Sequence, residues 1–168
     1  MKIQAKQPIG NVDNLTTKIL FLVDVHLGKL ARMLRMLGFD TKYRNDYSNS
    51  DLLQIAEEEK RILLYRNSGF NKKDSIQLLL IEDEDPNLQL KKVIEHFDLS
   101  SSFQPFTRCI VCNGQLERRD KEKIAQLLEE NTSRHFHEFW QCTSCRKIYW
   151  KGSHYQRMQK FLNLLESK

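Results

Sequence analysis

The apolar positions of the chain alternate between two periods, which predicts strands and helices in turn. A continuous apolar, β-favouring run occupies residues 19–23 and is typical of a buried parallel strand. From Leu27 to Leu37 the apolar residues recur at helical spacing, and Gly38 follows as a C-terminal stop. A strand followed by an amphipathic helix predicts the beginning of a β-α-β unit.

The same alternation continues to about residue 100. We predict further strands at 39–43, 61–65 and 75–81, and further helices from Ser48 or Ser50 to about Glu59 and from Pro86 through Phe97. Strands that alternate with helices favour an α/β fold, with a mostly parallel sheet flanked by helices. Ligands of such sheets collect at the carboxyl ends of the strands.

The C-terminal part of the chain is interpreted as a separate module. Residues 1–17 lack either period and are predicted to be an N-terminal tail, whereas residues 18–100 hold the α/β pattern. Three consecutive serines and Pro105 interrupt that pattern just before the first cysteine, so the second module takes residues 101–168. Within this module we predict strand-like segments at 139–141 and 147–150 and helices at 120–130 and 153–165.

Two Cys-x-x-Cys pairs hold all four cysteines of the chain: Cys109, Cys112, Cys142 and Cys145. The short spacing lets both thiolates of a pair reach one metal ion from a tight turn, so the two pairs predict a closed tetrahedral zinc site in a small zinc ribbon. Two disulfides are the alternative, but they suit a cytosolic chain poorly. Because four protein ligands leave no position for water, we expect this zinc to be structural.

Composition and charge narrow the class of protein. Of the 168 residues, 40% are hydrophobic, which is enough to bury a core, and no apolar run approaches the roughly 20 residues that cross a bilayer. Without a secretory-signal pattern, the cytoplasm is the default expectation. The net charge of +5 comes from residues 101–168, with 12 basic and 7 acidic residues. A basic module suits a polyanion such as RNA, although an ordinary solvated surface explains the excess equally well.

Several aspartates follow predicted strands. Asp24 comes directly after the strand at 19–23, which puts its carboxylate at the carboxyl end of the sheet. Asp46 and Asp51 follow the second strand, and Asp85 follows the strand at 75–81. Carboxylates that converge on this crevice can hold Mg²⁺ or Mn²⁺, which can activate water and clamp a phosphodiester.

Structural explanations compete with a metal role for most of these acids. Asp51 lies three residues after Ser48 and fits a helix capping box about as well as a metal site. Asp83 and Asp85 fit a solvated acidic turn. Asp24 is the hardest to explain in this way, because a carboxylate beside a buried strand needs compensation.

A basic helical face follows Asp24 in sequence. It contains Lys29, Arg32 and Arg35, which are spaced for one side of the predicted helix. These cations could contact phosphate, and an ordinary solvent-facing stripe is the alternative.

Four segments, in this order, resemble those of a known family. They are the segment 21–41 with Asp24 and Gly38, the strand Arg61-Ile-Leu-Leu, the turn Pro-Phe-Thr-Arg108-Cys109, and the run Tyr149-Trp150-Lys151-Gly152-Ser153-His154. The family is the Mut-seven C-terminal RNase family, and the likeness covers about residues 19–158. The resemblance implies a PIN-like nuclease domain fused to a zinc ribbon, and metal-dependent cleavage of RNA.

The resemblance also assigns roles to single residues. Asp24 matches the family's first acid and Asp46 the acid of its Arg-Asn-Asp motif, and Asp51 falls where members commonly have Asp or Glu. One position departs from the family, since Asn67 stands where an Asp is usual after the third strand. A carboxamide can coordinate through its carbonyl oxygen but adds no negative charge, so we expect weaker metal binding.

The leading hypothesis is a Mg²⁺- or Mn²⁺-dependent ribonuclease. The candidate catalytic residues are Asp24, Asp46, Asp51, Asp85 and Asn67, and the candidate substrate-binding residues are Lys29, Arg32, Arg35, Lys151 and His154. The ribbon would add charge and aromatic surface for RNA. Two alternatives stay open: an inactive RNA- or ribonucleoprotein-binding module that has lost a metal ligand at Asn67, and a protein-interaction domain.

Overall fold

The computed structural model of the chain describes residues 19–66, 70 and 74–166, the last three without their side chains. The predicted tail at 1–17 and the candidate Asn67 lie outside these residues. The first part of the chain forms a four-stranded parallel sheet in the spatial order β2-β1-β3-β4. Its strands are β1 (Leu20–Val23), β2 (Asp40–Lys42), β3 (Ile62–Tyr65) and β4 (Leu78–Leu80). The predicted α/β class is confirmed.

Helices cover both faces of this sheet. They are α1 (Gly28–Met36), α2 (Asn49–Glu58) and α3 (Pro86–Phe97). Because successive strand side chains point to opposite faces, β1 supplies both apolar cores. Phe21 belongs to the larger cluster, which includes Leu30 of α1 and Leu90 of α3, whereas Leu22 packs in the smaller cluster with Leu52 of α2.

Local sequence signals set the ends of these helices. The Ser48 side chain accepts the backbone N–H of Asp51, and the Asp51 carboxylate accepts the backbone N–H of Ser48, so α2 begins with a complete capping box. Gly38 ends α1 with a φ of 97°, and a Cβ there would lie 2.1 Å from the backbone oxygen of Gln104. Only glycine lets the chain turn here while the segment before the first cysteine packs against it.

A second, antiparallel sheet has the order β5-β6-β7. Its strands are β5 (Leu116–Arg119), β6 (Phe139–Cys142) and β7 (Ile148–Tyr149), and its helices are α4 (Lys121–Ile124), α5 (Glu130–His135) and α6 (Ser153–Glu166). The single helix predicted at 120–130 is wrong. A 3-10 turn at Ala125–Leu127 follows α4, and Leu128 and Glu129 are extended before α5 begins.

The C-terminal helix packs on the first sheet's core. Met158 and Leu162 of α6 are buried in the same apolar cluster as α1 and α3. The helix that sequence periodicity assigned to the second module therefore also covers the α/β core. Of the helices that the structure describes, none combines the length and the apolar character needed to cross a bilayer.

An ion-pair network joins the two sheets at Asp40, the first residue of β2. Its carboxylate accepts hydrogen bonds from Arg61 Nη1 at 2.9 Å and Asn113 Nδ2 at 2.9 Å, and lies 2.8 Å from Arg108 Nη2. Burial alone would raise the pKa of Asp40, but the hydrogen bonds from Asn113 and Arg61 and the charges of Arg61 and Arg108 outweigh it and lower this pKa. The carboxylate is therefore held ionised between β3 and the cysteine-bearing turn.

The same turn covers the free edge of the first sheet. We call residues 109–114 the first knuckle. The Thr41 backbone N–H of edge strand β2 donates to Asn113 Oδ1 at 3.0 Å. Arg35 Nε donates to the Thr41 carbonyl at 2.8 Å, and Arg35 Nη1 donates to the carbonyls of Ile110 and Val111 at 3.1 and 2.9 Å. Arg35 is thus the buried link from α1 through β2 to the first knuckle.

We predict that Arg35→Met destabilises the fold by about 2–4 kcal/mol, because it leaves three carbonyls without their donor while keeping most of the side-chain volume. The matched control is Arg32→Met, at an exposed position of the same helix, for which we expect a change within about 0.5 kcal/mol. Urea unfolding followed by circular dichroism measures both. Equal stability of the two variants would contradict this role for Arg35.

Candidate functional site

Two tight turns with the same hydrogen bonds present the cysteines. In the first knuckle the Cys109 N–H donates to the Gly114 carbonyl at 2.8 Å, and the Asn113 N–H donates to the Cys109 carbonyl at 2.9 Å. The second knuckle, residues 142–147, repeats both bonds at 2.9 and 3.1 Å. Each fifth residue has a positive φ, 66° at Asn113 and 63° at Arg146. This geometry turns both sulfurs of a pair to one side.

The four sulfur atoms come together at one point between the knuckles. All lie within 4.8 Å of one another, and two of the four cross-knuckle pairs, Cys109 with Cys145 and Cys112 with Cys142, are 3.5 Å apart. Ligands of a tetrahedral zinc ion with bonds of about 2.3 Å stand about 3.8 Å from each other. The cysteines are therefore arranged to bind a metal ion, and in two of the four the thiol is buried.

Hydrogen bonds reach two of the sulfur atoms and favour the thiolate at Cys109, whereas burial raises the pKa of Cys112 and Cys145. The backbone N–H groups of Cys112 and Cys145 point at Cys109 Sγ and Cys142 Sγ, at 3.5 and 3.4 Å. The Tyr149 hydroxyl lies 3.0 Å from Cys109 Sγ. Burial raises the pKa of Cys109, but the Tyr149 hydroxyl and backbone amides outweigh it and lower this pKa to about 7. Donors to the sulfur stabilise the anion that a metal needs.

A cleft of about 520 Å³ opens at the carboxyl ends of the parallel strands. Among its lining residues are His26 after β1, Tyr43 after β2 and Arg66 after β3, together with Lys29 and Arg32 of α1. The acid that lines it, Glu84, pairs with Arg66 at 3.2 Å. The walls of this cleft are therefore mainly cationic.

Asp24 lies at the carboxyl end of β1, as its position in the sequence predicts, and is 3% exposed. Its Oδ1 accepts the backbone N–H of His26 at 2.8 Å and its Oδ2 accepts the backbone N–H of Arg66 at 2.5 Å. Both donors belong to residues that line the cleft. The carboxylate thus ties β1 to the end of β3 immediately behind the cleft wall.

The other candidate acids have separate local partners. Asp46 makes two hydrogen bonds to Arg44, at 2.9 and 2.6 Å. With Asp51, the N3 residue of the α2 capping box, it lines another depression of about 370 Å³. Asp85 caps α3 by accepting the Asn87 N–H at 2.9 Å. Within the described residues, no three His, Cys, Asp or Glu ligands apart from the cysteines come close enough to hold one ion.

The expected basic face of α1 divides into two parts. Lys29 and Arg32 line the cleft and are exposed. Arg35 departs from the expectation, since it is only 4% exposed and its donors are taken by three backbone carbonyls. A spacing of three residues placed Arg35 beside Arg32, but the first knuckle covers that end of the helix.

The candidate RNA-contacting residues of the ribbon also differ from each other. Lys151 pairs with Glu138 at 2.8 Å and lies 5.7 Å from the centre of the Trp140 ring. His154 lines a second cavity, which Arg32 lines as well. Sequence reasoning did not identify the roles of Asp40 and Tyr149. Their partners are distant along the chain, although both residues stand in the segments that carry the family resemblance.

Comparison with known proteins identifies the class to which this fold and site belong. The sequence pattern of the Mut7-C RNAse domain matches residues 19–162, which include both sheets and the four cysteines. The chain belongs to this family, and the resemblance to the Mut-seven C-terminal RNase family is confirmed. No curated protein and no solved structure matches the chain.

We predict that Gly114→Ala weakens metal binding, because the added Cβ would lie 2.9 Å from Cys142 Sγ and 3.3 Å from Cys112 Sγ. Competition with a chromophoric chelator should show at least about a tenfold loss of affinity, in the range found when groups supporting a metal site are changed. Gly152→Ala is the control, since its Cβ meets the Trp150 ring and no sulfur. Unchanged affinity in Gly114→Ala would mean that the sulfurs do not meet as described.

Proposed function

We propose that this chain is a metal-dependent ribonuclease that holds RNA in the cleft at the carboxyl ends of β1, β2 and β3. The observation that carries the proposal is the buried carboxylate of Asp24 directly behind a cleft with cationic walls. Metal-dependent cleavage of an RNA phosphodiester requires charge-neutralising groups for the phosphate and an acid that can hold a metal ion. The family to which the chain belongs supports this combination.

In this proposal the cations position the substrate. Lys29 and Arg32 are exposed in the cleft and make no ion pair with any described residue, so they are available to phosphate oxygens. Among the residues that the structure describes, the exposed Glu84 is the ion-pair partner of Arg66. Phosphate contacts of this kind supply most of the sequence-independent affinity for nucleic acid. RNA binding should therefore weaken steeply as salt rises.

The described residues form only part of a Mg²⁺ or Mn²⁺ site. Asp24 is the ligand that we propose, with Asp46, Asp51 and Asp85 assigned to other partners in this conformation and Asn67 outside the described residues. A bound divalent ion would supply an activated water and neutralise phosphate charge. The chain's own contribution to this site is the carboxylate of Asp24 together with the phosphate-binding cations Lys29 and Arg32.

We propose that the metal held by the four cysteines is zinc with a structural role. Four thiolates favour zinc and leave no open coordination position. The first knuckle is hydrogen-bonded to β2 and α1, so the ion also fixes the ribbon against the first sheet. Such a thiolate site suits a reducing compartment, in agreement with a cytoplasmic location.

A second candidate function, RNA or ribonucleoprotein binding without cleavage, is favoured by one specific observation. Both oxygens of Asp24 already accept backbone N–H groups, which explains its burial without a metal ion. The family resemblance also implies an acid at the position that Asn67 occupies. A protein of this kind would bind RNA in the cationic cleft without cleaving it.

A cleavage assay on end-labelled RNA with added Mn²⁺ separates the two functions. We expect Asp24→Asn to lower the cleavage rate at least about 100-fold, as for groups that act directly on the reacting centre. The control is Asp120→Asn, an exposed acid paired with Lys123 far from the cleft. Thermal melts establish that both variants are folded.

Equal cleavage by wild type and Asp24→Asn would exclude Asp24 as the ligand. Salt-sensitive RNA binding with no cleavage would favour the second candidate. In that case Asn67→Asp is informative, because activity gained by restoring the acid would identify a nuclease that has lost one ligand.

A further inference from the structure

A second cavity, of about 470 Å³, lies between the two sheets. We call it the junction cavity. It is bounded by α1, the first knuckle, β7 and the first turn of α6. Aromatic rings form much of its lining, and the four that contribute are Phe106, Tyr149, Trp150 and Tyr155. A volume of this size and an apolar lining are typical of a site for a small planar group.

The charged groups among the described residues that line the junction cavity are cations. They are Arg32, Arg108 and Lys147, and no described carboxylate lines the cavity. Arg108 is neutralised by Asp40, but Arg32 and Lys147 are exposed and have no ion-pair partner among the described residues. Flat rings with uncompensated positive charge at the rim match a nucleobase attached to its phosphate.

Arg32 connects this cavity with the cleft. Its side chain lines both. A single strand that crosses Arg32 can therefore keep one phosphate on this guanidinium while its backbone lies in the cleft and a neighbouring base enters the junction cavity. The ion-pair network at Asp40 holds the two sheets, and so the two sites, in one arrangement.

Gly152 keeps the Trp150 ring at the cavity wall. A Cβ on Gly152 would lie 2.8 Å from Trp150 Nε1 and 3.2 Å from Cδ1. The indole can therefore lie against the backbone of the turn before α6, and the Gly152 N–H donates to the Trp150 carbonyl at 2.8 Å. Both residues belong to the run 149–154 that carries the family resemblance. The packing of the indole against Gly152 gives a physical reason for finding these two residues together in that run.

We propose that the junction cavity binds one unpaired base of an RNA strand whose backbone occupies the cleft, with Arg32 on the intervening phosphate. The proposal deepens the proposed function and rests on its RNA-binding part, but not on cleavage. Stacking supplies affinity with little preference for sequence, because every base has a π face. The cavity requires a base that is free of a duplex.

Fluorescence anisotropy with abasic RNA tests this proposal. Full-length protein without added Mg²⁺ or Mn²⁺ is titrated with a set of 12-nucleotide RNAs, each lacking the base at one position. In wild type we expect one position at which base removal weakens binding about tenfold or more, within the range for a stacked base. Trp150→Ala should remove that position-specific difference, whereas Trp150→Phe should retain most of it.

Three further variants separate the cavity from general charge and folding effects. Arg32→Ala should weaken binding of every RNA and lower the slope of log affinity against log salt by about 1. Lys123→Ala, which removes an exposed cation elsewhere, and Leu127→Ala, which removes an exposed apolar side chain, should leave the abasic profile unchanged. If Trp150→Ala fails to fold, the exposed-site variant Lys147→Ala provides the test, since loss of this cation at the cavity rim should reduce the position-specific difference, and an unchanged difference would overturn the base site.

The outcomes distinguish this inference from the proposed function. Tight RNA binding with a flat abasic profile overturns the junction cavity as a base site. A profile that Trp150→Ala does not change also overturns it. Neither result bears on whether the protein cleaves RNA. A position-specific loss in a protein that does not cleave supports the base site and contradicts the nuclease. Preference for an oligo-glutamate peptide over RNA, or no RNA binding by wild type, overturns the inference.

Discussion

The half-buried carboxylate of Asp40 is the ionic contact that joins the two sheets of this molecule. It lies between two guanidinium groups, one from the start of β3 and one from the residue before the first cysteine, and it also accepts a hydrogen bond from the first knuckle. Removing one partner from such a network weakens the compensation of charges that are largely shielded from water, which is a costly change. The network thereby helps to keep the two sheets in one orientation, and the junction cavity between them depends on that orientation.

The motif segments of the family acquire a structural meaning from this arrangement. Asp40, Arg61 and Arg108 come from three of the four segments that resemble the family, and they meet in one network. Gly152 and Trp150 come from the fourth and shape a cavity wall. A motif residue in an enzyme family is easily taken for a catalytic one, but here several of them set the position of one sheet against the other.

Most strands and helices could be predicted from the spacing of apolar residues along the sequence, because these elements bury continuous or regularly spaced apolar side chains. β5 was missed since Leu116 is the only apolar residue of that strand, which is held by pairing with β6 and not by its own burial. The meeting of the four cysteines at one point followed from their spacing alone. The contacts of the candidate acids could not be predicted in this way. A position after a strand places a side chain at one end of the sheet but does not decide which neighbour it contacts. Asp24 accepts backbone N–H groups, one of them from Arg66, which is distant along the chain. Asp46 pairs with Arg44, and both of these side chains are exposed.

The first knuckle has one more consequence, through its contact with β2. The edge strand of a parallel sheet offers unpaired peptide groups to any other extended chain. Here the peptide groups of Thr41 are occupied by Asn113 and Arg35, and the turn that brings Asn113 is held in shape by the metal-binding cysteines. A metal ion bound by the cysteines would therefore also protect the molecule against self-association, because a chain without it would release this turn and expose the edge strand of the sheet.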